Sequence, residues 1–170
     1  LFVVITFFII FKFSEDFFKN KIFSLMSVLL LEGIYFYNFT TPEFNVNVCQ
    51  LPFWALTVYY CWKGIKEKEV SNWLLFGLFA ACGVLSKYLF IYLLVAIDIF
   101  FIYLISTKKF NYKSLVSIVS FFIILSPHIV WLFDNNFTTF AYAFKRTGLE
   151  TAQFLDHIYN PAIFLAKQIG

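Results

Sequence analysis

Charge is what this sequence has least of: only 14% of its 170 residues are Asp, Glu, Lys or Arg, with one arginine, Arg146, against twelve lysines. A soluble core does not need so little charge together with 61% hydrophobic residues, 24% aromatic residues and a mean hydropathy of +0.80. A water-facing globular domain is therefore excluded. The net charge of +3 is too small to point to nucleic acid. Three cysteines, Cys49, Cys61 and Cys82, lie inside apolar runs at spacings that match neither a zinc site nor a CxxC redox pair. The sequence holds no GxGxxG, Walker, HExxH or nucleophile-elbow pattern, which leaves a cytosolic nucleotide cofactor without a seat.

What it does have is a series of apolar runs. A helix crossing a hydrocarbon core of roughly 30 Å needs about 20 residues. Cut at charged or proline-containing breaks, the runs are 1–11, 22–41, 46–62, 71–86, 88–106 and 114–133; a polar stretch 134–160 and a further run from 162 follow. None shows the alternation of a barrel strand, and backbone groups in lipid must bond within their own segment. The expected fold is all-α, a polytopic transmembrane helix bundle in one domain. The chain opens at Leu1 within one apolar run and closes at Gly170 within another, so it reads as incomplete at both ends. The abundance of Phe, Lys, Ile and Asn suggests an AT-rich, bacterial genome and thus a multi-pass protein of the inner (plasma) membrane.

Alternating the sides of these runs puts Lys12, Lys19, Lys21, Lys63, Lys66, Lys68, Lys108, Lys109 and Lys113 on one face, and Lys87, Lys145 and Arg146 on the other. The nine-lysine face is then cytoplasmic. The outer face receives residues 42–45, Lys87 and the loop 134–160.

Charged groups inside or beside the spans carry the functional information, since each costs at least a few kcal/mol in lipid unless a partner or cavity receives it. Glu32 and Asp98 fall mid-span, where helix contacts explain them best. Glu43 follows Pro42 at the outer mouth of a span, a composition suited to a helix start. The alternative is a carboxylate lining an outward cavity with Asn45 and Asn47 as hydrogen-bonding groups. Lys87, in Cys82-Gly83-Val-Leu-Ser86-Lys87-Tyr88, either snorkels to the interface or supplies a fixed cation for a phosphate, within reach of Glu43. His128 beside Pro127 reads as a structural hydrogen-bonder, and no metal site is expected. Lys145 and Arg146 suit a lipid headgroup or a substrate phosphate.

The order Thr41-Pro42-Glu43-Phe44-Asn45, Leu51-Pro52-Phe53-Trp54-Ala55-Leu56, Gly77 to Ser86-Lys87-Tyr88, and Pro127-His128-Ile-Val-Trp131 resembles the C-type-fold membrane glycosyltransferases of family thirty-nine. That group includes protein O-mannosyltransferases and lipid A aminoarabinose transferases. The resemblance implies transfer of a sugar from a polyprenyl-phosphate donor to a lipid, glycan or protein acceptor on the outer face, with a divalent metal assisting in some relatives. It also implies a catalytic carboxylate in a first outer loop, expected upstream of Leu1. Glu43, Asn45, Lys87 and Arg146 become substrate-binding candidates, with Lys87 and Arg146 on the phosphate and Glu43 on sugar or acceptor. A transporter or flippase of a solute or lipid-linked sugar also fits polar residues within spans, and so does a structural membrane subunit.

Overall fold

A computed structural model describes residues 1–34, 37, 43–147 and 155–169, with the side chains at 146, 147, 156, 157, 168 and 169 outside the description. All regular structure among the described residues is helical: α1 Phe2–Glu15, α2 Lys21–Glu32, α3 Val46–Glu67, α4 Val70–Ser86, α5 Ile91–Ser106, α6 Leu115–Asp134, α7 Thr138–Thr147 and α8 Asp156–Ile169. Single 3-10 turns at Tyr88–Phe90 and Tyr112–Ser114 lead into α5 and α6.

Asparagines start three of these elements. The side chain of Asn20 accepts from Ile22 N, that of Asn45 from Asn47 N and Val48 N, and that of Asn111 from Lys113 N. A short carboxamide oxygen satisfies first-turn N–H groups that have no intrahelical partner.

The chain divides into two compact units, Leu1–Ser126 and Pro127–Gly170. In the first, α3 packs antiparallel on α4, and α1 lies against α3. Its core is Cys61, Trp73 and Phe76, with Tyr60, Ile65, Ile97 and Phe101 packed around them. Gly64 lets the Trp73 indole close on α3: an added Cβ would stand 2.7 Å from the ring. In the second unit the rings of Phe133, Phe137 and Phe140 follow one another at 5.1 and 6.2 Å. His128 stacks on Trp131 one turn on. The stretch 134–160, expected as a loop, thus holds α7 among its described residues.

Tyr88–Ser106 and Tyr112–Asp134 are long and apolar enough to cross a membrane, and only 11% of each apolar window is buried within the protein. A soluble core helix would be covered. Here Ile91, Val95, Ile99 and Ile102 face outward, Ile102 with 65% of its surface exposed, and lipid is the medium in which such a surface is stable.

The lysine-rich ends of the helices gather at one end of the first unit. Asp16, just after α1, accepts from Lys66 Nζ at 2.9 Å and from Trp62 Nε1 at 3.1 Å. Lys113 Nζ donates to the Lys68 carbonyl at 3.1 Å. Lys68 itself ends α3 with φ 59 and ψ 22, left-handed backbone that costs an L-residue roughly 1 kcal/mol and a glycine almost nothing. Its side chain is exposed. Lys68→Gly is therefore expected to raise the thermal midpoint in detergent; a lower midpoint would mean that the lysine side chain, not the backbone, governs this cap.

Candidate functional site

The far end of the α3–α4 pair, opposite the lysine cluster, is built from the first turn of α3 and the last of α4. Asn45 fixes that first turn. Its Oδ1 accepts from Asn47 N at 2.9 Å and Val48 N at 3.3 Å, while its Nδ2 donates to the Glu43 carbonyl at 3.2 Å. With both ends of its carboxamide engaged, Asn45 is the cap that sets the direction of α3.

On the opposite element, α4 stops at Ser86, where the Lys87 backbone becomes extended, with φ −164 and ψ 129. Lys87 N still donates to the Gly83 carbonyl, and its own carbonyl accepts from Phe90 N at 3.0 Å, so the chain turns sharply into the next helix. The Phe90 ring folds back over Gly83 and is fully buried, with Trp54 of α3 edge-on at 5.4 Å. A side chain at residue 83 would occupy the ring's place.

These two ends meet through polar side chains. The Lys87 ammonium donates to the Asn47 carboxamide oxygen. Alongside, Cys49 Sγ donates to Ser86 Oγ at 3.8 Å, and Ser86 Oγ donates to the Cys82 carbonyl at 2.8 Å. Lys87 is half-buried, and among the described residues no carboxylate lies within ion-pair distance of it. As the residue that ends α4 it meets the negative end of that helix's dipole, while the positive end of the α3 dipole lies across from it. Such an arrangement favours an anion.

Asn47 also lines a cavity of about 530 Å³ between α1 and α3, together with Thr6, Phe13, Tyr37, Gln50 and Trp54. Its walls are mainly apolar, and α3 contributes two carboxamides to it, Asn47 and Gln50, three residues apart. A second cavity of about 490 Å³, lined by α4, α5 and α6, carries Asp98 among Phe76, Phe101, Ser117 and Phe121.

Glu43 does not meet Lys87. It is exposed, before the cap of α3, and the two form no ion pair; Asn47, inside the first turn, takes the position facing α4 instead. Arg146 belongs to α7 in the second unit, and its side chain lies outside the described residues. No group of three or more His, Cys, Asp or Glu side chains converges among the described residues. The pairing of Asn47 with Lys87 spans forty residues of sequence and has no local signal. The cue in the sequence is Asn47 itself, an amide that opens an apolar run and suits a cavity-lining hydrogen-bonding group.

The sequence model of the dolichyl-phosphate-mannose-protein mannosyltransferase family matches residues 1–131, which include the whole Asn45, Asn47 and Lys87 constellation. No curated protein and no solved structure matches the chain.

Proposed function

Since the chain belongs to the dolichyl-phosphate-mannose-protein mannosyltransferase family, a family of membrane glycosyltransferases that take their sugar from a lipid-linked donor, we propose that Lys87 receives the phosphate of a polyprenyl-phosphate sugar. The observation that carries this reading is the half-buried ammonium held by a neutral acceptor at the end of the bundle away from the lysine cluster. In the reaction, a carboxylate takes the proton of an acceptor hydroxyl on a lipid, glycan or protein. The acceptor oxygen forms a bond to the anomeric carbon, inverting it. The bond from that carbon to the phosphate oxygen breaks, and its electron pair leaves on polyprenyl phosphate. A donor phosphodiester bears one negative charge and the departing monoester up to two, so a fixed cation stabilises the products' side of the barrier most. Glu43, exposed ahead of α3, is suited to the sugar or acceptor, and Arg146 to the phosphate or a lipid headgroup.

The test is transfer of label from radiolabelled polyprenyl-phosphate mannose by the full-length protein in proteoliposomes. Appearance of label in an acceptor with release of polyprenyl phosphate supports the enzyme. Movement of the intact donor across the bilayer without cleavage would instead establish a flippase.

Sidedness follows from the lysine distribution. In a background with Cys49, Cys61 and Cys82 replaced by alanine, Phe44→Cys should react with an impermeant thiol reagent from the outer face of a bacterial inner membrane. Lys19→Cys and Lys109→Cys should be protected. All three positions are exposed in the structure, so the reverse pattern would turn the site to the cytoplasm.

A further inference from the structure

Lys87 is unusual in its partner. Lysines that settle at helix ends commonly find a carboxylate, as Lys12 does in Glu15, Lys63 in Glu67 and Lys66 in Asp16 in this same chain. Lys87 alone among these four is held by a carboxamide. We infer that Asn47 is a positioning residue whose neutrality is its function: it fixes the Lys87 ammonium by one hydrogen bond while leaving its full charge, and its two other N–H donors, for a phosphate. The inference rests on the reading of Lys87 as the phosphate cation and adds which residue sets its strength.

The surroundings support it. Asn47 stands at the second helical position of α3, held there by the Asn45 cap bonding its own N–H at 2.9 Å. A carboxylate at that position would be the ordinary choice on electrostatic grounds, because acidic side chains stabilise a helix start. A carboxylate would also pair with Lys87 and cancel the charge that an anion needs. The carboxamide has the same shape and offers the same acceptor atom without that charge. Asn47 further lines the cavity between α1 and α3, so the tether stands at the boundary between that cavity and the cation.

The discriminating variant is Asn47→Asp in the full-length protein, isosteric and able to keep the hydrogen bond. Binding of polyprenyl phosphate to detergent-solubilised protein should weaken about tenfold or more, whereas the thermal midpoint should be unchanged or raised. Asn47→Ala, which removes the tether but keeps the charge, should lose about threefold only. Weakening should be greater for polyprenyl phosphate than for its phosphodiester-linked mannose, since the monoester bears the larger charge; a merely structural role would not separate the two ligands. If Asn47→Asp binds as wild type while Lys87→Ala does not, the neutral-partner inference fails and the phosphate role of Lys87 stands. If Asn47→Ala is as damaging as Asn47→Asp, the residue acts through structure and the inference likewise fails. Should Lys87→Ala itself bind polyprenyl phosphate as wild type does, the reading beneath the inference is what has failed.

Discussion

Lys87→Ala in the full-length protein is expected to lower kcat for sugar transfer by about 100- to 1,000-fold, the loss typical when one preorganised group stabilising developing charge is removed. Expression and membrane insertion should stay near normal, because the fold at this point is held by other contacts. Phe90 is buried over Gly83, Trp54 packs on Phe90, and Cys49 bonds Ser86. A lysine that only snorkelled would contribute to none of the chemistry, and its loss would leave turnover intact. Lys87→Arg should recover part of the rate: the charge returns, but a planar guanidinium presents its donors in a fixed fork where a compact ammonium stood. Single-turnover transfer from polyprenyl-phosphate mannose measures the effect, and unchanged turnover in Lys87→Ala would remove the residue from the site.

The parts of this architecture that could be read in advance are those set by local composition. The break after Ser86 is visible as a short apolar run closed by a lysine, and the structure ends α4 there. The all-α class follows from lipid as solvent, and the helices bear it out. Where hydropathy marks a change of solvent rather than of hydrogen bonding, the sequence says less. The apolar run 46–62 stops before Lys63, yet α3 continues to Glu67, because Lys63, Lys66 and Glu67 are good helix formers and Lys63 pairs with Glu67 at 3.5 Å. The mixed composition of 134–160 likewise hides α7, whose signal is the four-residue spacing of Phe140 and Phe144. The site needed still more. Glu43 and Lys87 are opposite charges that topology places on one face, where charge alone puts them within reach of each other. The structure gives Lys87 to Asn47 instead, because the helix cap at Asn45 decides which side chain of the segment points across to α4. That choice depends on one turn of helix and cannot be extracted from charge alternation.

The second large effect is expected at Gly83, whose carbonyl accepts from Lys87 N at 3.1 Å and whose missing side chain matters more. Its missing side chain is what allows the Phe90 ring to lie against α4, and that ring is fully buried. The three residues between Phe90 and the end of α4 are Lys87, Tyr88 and Leu89, tied by the bond from Phe90 N to the Lys87 carbonyl. Displacing the ring therefore displaces the backbone that carries the cation. Gly83→Ala puts a Cβ where the ring now stands, so the ring or α4 must move. Overpacking of this kind costs about 1–3 kcal/mol, and a shift of about 1 Å at a reacting centre can cost about 100-fold in rate. Both losses should appear together: a lower thermal midpoint and a strong fall in sugar transfer. The cause can be separated from a general intolerance of helix α4 by removing the other partner. Phe90→Ala is destabilising in its own right, by about 3–5 kcal/mol for a buried ring, but in its background Gly83→Ala should cost little more, since the atoms it would meet are gone. A coupling of about 1 kcal/mol or more between the two substitutions is the expected result. Strictly additive losses would mean that Gly83 is needed for some other reason, and the route by which the fold holds Lys87 at the end of α4 would have to be sought elsewhere in the turn.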